Sequence, residues 1–510
     1  MSPPVVSSEL ELTIAHGVDR RNAHSGASTR SGVEEDTMTA AGTRAEQTRA
    51  EWMTVLDKYH EDRERPHSAD YWSAKDTWSR ERIREVQDEK IAVLAPFLYE
   101  NSAFYRARFD RLGVAPTDVS SVDSMLANWP VVTKQEMMAD ALAHPPYGTY
   151  STCGPEQWHD RGWMLFSSSG STGVPRVFRY THYDRRHWEQ ANARALHSGG
   201  LRTGDAAFPM VGFGPHVFAW GVQYALAKMG LPVIPGGGLD AKARAGIIDR
   251  FTPQVLVCTP SYALYLARTM QDMGLDPAAS SIKWIVQGGE PFSGIPGTLE
   301  RIQGLWGAQT VEFYGCTEVS PHCGGYSCPE SQTGDETFIH LMEDIQVWET
   351  VDPDTLQPVA EGERGVTVCS SLDSESSPQL RFLVGDYTRL SHEPCACGRN
   401  HVRGMGCLTG RADDLINLRG IKFFPVQIEE AVRALPDAGD EFQIRLSTRP
   451  DGLDVMTVVA EHTDSAAAAA LESEIRSRCE VRCTVEIVAP GTLPKAEMKA
   501  KRVFDERGKG

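Results

Sequence analysis

Ser167-Ser168-Ser169-Gly170-Ser171-Thr172-Gly173 places seven residues that are small or carry hydroxyls between an apolar run, Trp163–Phe166, and a β-prone run, Val177–Tyr180. A loop of this kind bends tightly and aims several backbone N–H groups and hydroxyls at one anion, which is the physics of a phosphate cradle. The Walker pattern GxxxxGK[ST] is absent. Glu312-Phe313-Tyr314-Gly315-Cys316-Thr317-Glu318 ends an apolar stretch with an aromatic, a glycine, a hydroxyl and a carboxylate. These suit a purine face (Tyr314), a phosphate (Thr317) and Mg²⁺ (Glu318), a hard cation that takes oxygen ligands. Val384-Gly385-Asp386 offers a carboxylate to the two hydroxyls of a ribose. Gly410-Arg411-Ala412-Asp413-Asp414 adds a mixed-charge turn, and Leu493–Arg502 a cluster of cations.

Such groups must be held by rigid elements. Ala206–Val211, Leu231–Pro235, Gln254–Thr259, Trp284–Gly288 and Thr310–Tyr314 read as buried strands, with helical stretches such as Tyr262–Met273 between them. That alternation predicts an α/β fold with mostly parallel sheets flanked by helices. Glu46–Asn101 carries helical periodicity, with Trp52, Val55 and Tyr59 on one stripe. Residues 1–45 lack periodicity and read as a disordered tail, with Met38 a second candidate start. A boundary falls near Gly410. Beyond it, strands at Phe442–Ser447, Leu453–Ala460 and Thr484–Val488 and a helix at Ala466–Arg478 predict a small, mobile α+β domain. The expected domains are therefore 46–410 and 411–510.

Composition narrows the class. A net charge of −18, from 51 basic and 69 acidic residues, argues against nucleic acid or an anionic membrane as partner. The apolar run Ile91–Tyr99 is broken by Pro96 and falls short of the ~20 residues a spanning helix needs. Glu9 and Glu11 argue against a secretory signal. Eleven cysteines, an odd number over a long chain, fit a reducing cytoplasm better than a disulfide framework.

Taken in order, these segments resemble the adenylate-forming (acyl-CoA synthetase) superfamily, and more closely its phenylacetate-CoA ligase branch. Pro146-Tyr147-Gly148-Thr149, Val233-Ile234-Pro235, Cys258–Tyr262 and Gly288-Gly289-Glu290-Pro291 add to the likeness, which runs from about Tyr147 to Glu506. The resemblance implies that a carboxylate attacks ATP to give acyl-AMP and pyrophosphate, and that a thiol, usually coenzyme A, then displaces AMP. It implies that Ser168, Ser169, Gly170, Ser171, Thr172 and Gly173 hold the distal phosphates. Gly288, Gly289, Glu290, Pro291, Tyr314 and Gly315 would frame adenine, Asp386 and Arg411 would hold ribose, and Glu318 with Thr317 would serve Mg²⁺ and catalysis. Lys499 would stabilise the charge that develops during adenylation, and Asp413 would be the hinge on which the small domain turns. Two departures stand out. Arg176 replaces the lysine common at the end of the phosphate loop, and Met498 replaces the glycine usual before the catalytic lysine, leaving Lys495 and Lys501 as nearby substitutes.

Some members of that branch carry a structural zinc, and thiolate and imidazole are its usual ligands. The pair Cys395-Ala396-Cys397, with Cys328 and His340, is the assignment taken here. His322, Cys323, His392 and His401 compete for it. The acid pocket is expected along Phe213–Tyr224, with Phe218, Trp220, Gly221 and Tyr224 lining it and Tyr147 at its entrance. By resemblance the acid is an aryl or arylacetic acid, and a homodimer is compatible with the branch. Other acceptors stay open: an amine, a carrier-protein thiol, or an aryl amine meeting an activated small oxyacid such as nitrite. A non-catalytic nucleotide-binding homologue is the remaining alternative, against which the intact Glu318, Asp386, Arg411 and Lys499 argue.

Overall fold

A computed structural model describes residues 32–168, 176–334, 336–408, 410–419, 421–450, 453–494 and 501–507. A helix, Gly32–Asp57, begins inside the stretch expected as a disordered tail. Its alanines, glutamates and arginines are good helix formers.

A β-hairpin carries the serine–glycine stretch. Strands β1 (Gly162–Ser167) and β2 (Val177–Thr181) pair antiparallel up to Ser167 opposite Val177. One residue further, Ser168 N donates to Arg176 O at 3.0 Å and Arg176 N donates to Ser168 Oγ at 3.3 Å. Ser168 and Arg176 therefore clamp the two ends of residues 169–175.

The expected parallel strands are present. β3 (Ala207–Pro209), β4 (Val255–Cys258), β5 (Trp284–Gln287) and β6 (Gln309–Gly315) run parallel in that order. Side chains alternate between the two faces of a strand, and here both faces are covered. Val255, Val257, Val286 and Val311 cluster with Ala193, Leu196, Val222 and Leu226, from the helices His182–Ser198 and Val217–Lys228. Leu256, Cys258 and Ile285 cluster with Ala245, Leu266 and Ile302, from the helices Ala241–Phe251, Pro260–Asp272 and Thr298–Trp306. Double coverage is why these strands read as unbroken apolar runs. Leu231–Pro235 supplies only a bridge, Val233 to Ala207.

The sheet then continues in a way the sequence reading did not anticipate. Strands β7 (Cys323–Tyr326), β8 (Phe338–Leu341), β9 (Gln346–Val351), β10 (Arg364–Ser371), β11 (Gln379–Ser391) and β12 (Arg403–Met405) extend it to ten strands in the order 3-4-5-6-7-8-12-11-10-9. All six ladders from β6 to β9 are antiparallel, against three parallel ones. The α/β class holds, but the expectation of mostly parallel pairing is corrected. Short connections without crossover helices join the antiparallel strands. Their buried positions include Gly324, Gly325, Ser370 and Ser371, so no apolar run marks them.

Beyond Gly410, β13 (Ile416–Leu418) and β14 (Ile421–Phe423) form a hairpin. β15 (Ala438–Thr448), β16 (Asp454–His462), β17 (Thr484–Val488) and β18 (Val503–Asp505) make a second sheet in the order 17-16-15-18. With the helices Pro425–Arg433 and Ala467–Cys479 it encloses a core of its own that includes Phe442, Ile444, Val458, Leu471 and Ile475. Asp440 ties this unit to the larger one, 2.6 Å from Arg268 Nε and 2.7 Å from Arg301 Nη2. No helix among the described residues is long and apolar enough to cross a membrane.

Candidate active site

Three residues distant in sequence meet beside the end of β6. The Tyr314 hydroxyl donates to Asp386 Oδ2 at 2.8 Å, and Arg411 Nη1 lies 3.4 Å from Asp386 Oδ1. Backbone pairing fixes this register: Asp386 bridges to Arg411, and Tyr387 N donates to Gly410 O at 2.9 Å. Asp386 N is in turn held by Thr367 Oγ1 at 3.2 Å. Burial, with Asp386 second, holds the Tyr314 phenol well above its ordinary range, so it stays a donor. The turn after β6 needs Gly315, because a Cβ there would lie 1.5 Å from His322 O.

Glu318 closes the other side of that turn. Arg176 Nη2 reaches Glu318 Oε1 at 2.6 Å, and both side chains are buried. Burial opposes the charge on Glu318, but Arg176, with Lys134 behind it, outweighs burial and holds the carboxyl below its usual range. The Tyr180 hydroxyl donates to Thr317 O at 2.7 Å. The β1–β2 hairpin is thus tied to the Thr317–Glu318 turn at two points. Ser169, Gly170, Ser171, Thr172, Gly173 and Lys499 lie outside the described residues, as does the side chain of Asp413.

Gly288 and Gly289 follow β5 beside β6. A Cβ on Gly288 would stand 2.6 Å from Phe313 O. Glu290 accepts from Ser261 N at 3.1 Å and from Ser261 Oγ at 2.9 Å, so its carboxylate serves the start of the helix Pro260–Asp272. Pro291 follows it on the surface.

The helix Val217–Lys228 carries the expected acid-pocket residues. Phe218 packs on Phe313 at 5.8 Å, and Tyr224 packs on Trp163 at 5.2 Å. Trp220 packs on Phe213 at 4.9 Å and donates to Gly214 O. Gly221 faces His322 and Asn192. Tyr147 lies under the Arg179 guanidinium of β2, 4.6 Å away. Sequence reasoning did not single out Trp188 or Asn192. Trp188 is fully buried, 4.6 Å from His322 and 5.5 Å from Phe166. Asn192 stands between Ala191 and Ala193 on a helix that also buries Asp184, His187, Gln190 and Arg194, so its sequence neighbourhood did not set it apart.

Cys328, His340, Cys395 and Cys397 come together, their ligand atoms all within 4.8 Å of one another. Cys328 follows β7 and His340 lies on β8. The Cys395–Gly398 turn, closed by Gly398 N donating to Cys395 O at 2.9 Å, precedes β12. His340 Nδ1 donates to His401 O at 3.1 Å, which leaves Nε2 as the ligand atom, 3.3 Å from Cys397 Sγ. Hydrogen bonds from Cys328 and Cys395 pull the Cys397 thiol well below its usual range, favouring a thiolate. The competing residues lie elsewhere: His322 packs against Trp188, Cys323 faces Gly325 O, His392 pairs with Glu361, and His401 lies beside Arg194.

The chain belongs to the AMP-binding enzyme family: residues 111–371 match the AMP-binding enzyme model, and residues 420–507 match the AMP-binding enzyme C-terminal domain. It is an AMP-forming acid–thiol ligase, which activates a carboxylic acid as acyl-AMP and passes the acyl group to coenzyme A. It is 31% identical over 459 residues to phenylacetate-coenzyme A ligase of Thermus thermophilus, covering 86% of this chain and 99% of that protein. It is 30% identical to the Pseudomonas putida protein of the same name, over 85% of this chain and 96% of that one. A solved 2-hydroxyisobutyryl-CoA ligase in the postadenylation state, in complex with R3-HIB-AMP, matches with a TM-score of 0.79. It is 26% identical and covers 88% of this chain and 95% of that one. The same enzyme in the thioesterification state matches at 0.65, with 27% identity over 87% of this chain and 94% of that one.

Proposed function

We propose that the acid activated is aromatic, and that the adenylate is built where the turn after β6 meets Asp386 and Arg411. The observation that carries the nucleotide site is the meeting of Tyr314, Asp386 and Arg411 from three segments, at 2.8 and 3.4 Å. Such a preformed constellation, at the C-terminal end of a parallel strand, is where open α/β sheets bind ligands. Asp386 and Arg411 receive the ribose hydroxyls, and Tyr314 with Gly288–Pro291 frames adenine. The clamped loop from Ser168 to Gly173 takes the distal phosphates.

Glu318 suits Mg²⁺ because its carboxylate is kept ionised. Bound there with Thr317 nearby, the ion would neutralise charge on the transferring phosphates. Arg176 brings a fixed cation to the same corner, and Lys499 adds the mobile one. The acid's ring lies along Phe218, Gly221 and Tyr224, where Phe313, Trp163 and Trp188 add aromatic surface. Residues 411–510 turn about Asp413 between the two half-reactions. The better match to the postadenylation state supports reading the Asp440 ion pairs with Arg268 and Arg301 as contacts of that arrangement. The four-ligand cluster holds a structural zinc, which its donor types and spacing fit.

The test is pyrophosphate release from ATP across aryl, arylacetic and aliphatic acids, each with and without coenzyme A. Release with aromatic acids, coupled to a coenzyme A thioester, is the expected result. Release with aliphatic acids alone refutes the aromatic reading.

A further inference from the structure

Beside the helix Val217–Lys228 lie two buried polar side chains without hydrogen-bond partners among the described residues. Asn192 is 0% exposed and His322 2% exposed. Among the described residues, neither polar atom of the Asn192 amide and neither His322 ring nitrogen has a partner. Both converge on Gly221: Asn192 Nδ2 and His322 Nε2 each lie 2.6 Å from the point a Cβ would occupy there. Around them the walls are aromatic. Trp188 and Phe313 lie 4.6 and 5.7 Å from the His322 ring, and Phe218, three residues before Gly221, packs on Phe313. The Trp188 N–H is already given to Ser320 Oγ at 2.7 Å and does not serve them.

Leaving a buried polar group dry costs about 1–3 kcal/mol, so native chains rarely do it without reason. Burial pushes His322 down to about 3, so the ring is neutral at pH 7, with one donor and one acceptor. The asparagine amide also offers both. Such a pair complements an uncharged group that both donates and accepts, and it disfavours a second carboxylate.

We infer that Asn192 and His322 are specificity residues of the acid pocket, and that the acid carries a hydroxyl or amino substituent which hydrogen-bonds to them. This rests on the reading that places the acid along Val217–Lys228. A flat apolar ring alone would leave both side chains unsatisfied.

Matched pairs test it. Benzoate and phenylacetate are compared with their ring-hydroxylated and ring-aminated derivatives, and isobutyrate with 2-hydroxyisobutyrate, by kcat/KM for pyrophosphate release. In the wild-type protein a substituted acid is expected to exceed its parent by ~10–100-fold, the range that one or two unpaired buried polar groups give. Asn192→Leu and His322→Phe keep the branching and the flat ring while removing the polarity. Each is expected to shrink that ratio by raising kcat/KM for the unsubstituted parent, with the KM for ATP unchanged. A purely structural role would lower both acids alike. A parent preferred by the wild-type protein, or a ratio that survives in both variants, overturns the inference. If neither variant folds, the wild-type ratio decides. Turnover of aliphatic acids alone defeats the aromatic reading, yet a preference for 2-hydroxyisobutyrate over isobutyrate still supports the polar subsite.

Discussion

Removing the proposed zinc gives a sharp test, because its geometry can be worked out beforehand. A tetrahedral zinc with Zn–S of ~2.3 Å and Zn–N of ~2.05 Å sets edges of about 3.8 Å between sulfurs and about 3.5 Å between sulfur and nitrogen. The structure has 3.9 Å from Cys328 Sγ to Cys395 Sγ and 3.3 Å from Cys397 Sγ to His340 Nε2. The metal would therefore enter with little rearrangement. It would cross-link Cys328 to Cys395, 67 residues apart. The chain-entropy relation for a cross-link over such a loop gives ~4 kcal/mol. Set against an unfolding entropy of ~2.1 cal/mol/K per residue over roughly 365 residues, that is a fall in Tm of about 5 °C. The perturbation is Cys395→Ser combined with Cys397→Ser. The assays are elemental analysis and calorimetry on native and variant protein. The native protein is expected to carry about one zinc per chain, and the variant to carry none and melt lower. A metal-free native protein, or a variant that keeps its metal, refutes the assignment.

Lys499→Ala is expected to slow adenylation by ~10²–10³-fold while sparing thioester formation from preformed acyl-AMP; equal loss of both half-reactions refutes its role. Asp386→Ala removes the partner of Tyr314 and Arg411 and is expected to raise the KM for ATP about tenfold or more, as loss of a charge-assisted hydrogen bond does; an unchanged KM takes Asp386 out of the ribose site. Asp184 is pushed up to about 7, chiefly by burial, with hydrogen bonds from Thr181 offsetting part of the shift and Glu375 adding to it. An acid whose pKa rises on folding binds more protons folded than unfolded, so this group makes stability fall as pH climbs from about 4 to about 7. Asp184→Asn is expected to flatten that slope in Tm against pH, and an unaltered slope refutes the assignment.

Local pattern carried much of the fold, and burial decided where it failed. β4, β5 and β6 lie under helices on both faces and present continuous apolar residues, so they are visible as runs. β17 was expected at Thr484–Val488 and is found there. The antiparallel half is equally buried, yet β10 reads Arg-Gly-Val-Thr-Val-Cys-Ser-Ser and β7 Cys-Gly-Gly-Tyr. Those strands are covered by sheet neighbours and packed chain that accept small and hydroxyl-bearing residues. Neither alternation nor an apolar run singles them out. Ser370 Oγ accepts from Arg381 N, and Ser377 Oγ, in the turn after β10, donates to Arg179 O, which shows how such polar positions are tolerated inside.

The site divides the same way. Tyr314, Asp386 and Arg411 were legible one by one, since each sits in a short segment with its own chemistry; what the sequence could not supply was their partnership, which depends on β11 lying across from the turn after β6. Glu290 shows the converse: its segment was recognisable, but its carboxylate is committed to Ser261. Arg176 is the most instructive residue. In the sequence it stands only as a departure from lysine at the end of a loop. In the fold it is the buried partner of Glu318, and guanidinium suits that place because it holds a carboxylate by directed hydrogen bonds and keeps its charge when desolvated. The residue that pairs with Ser168 at the neck of the proposed phosphate loop also keeps the proposed Mg²⁺ ligand ionised.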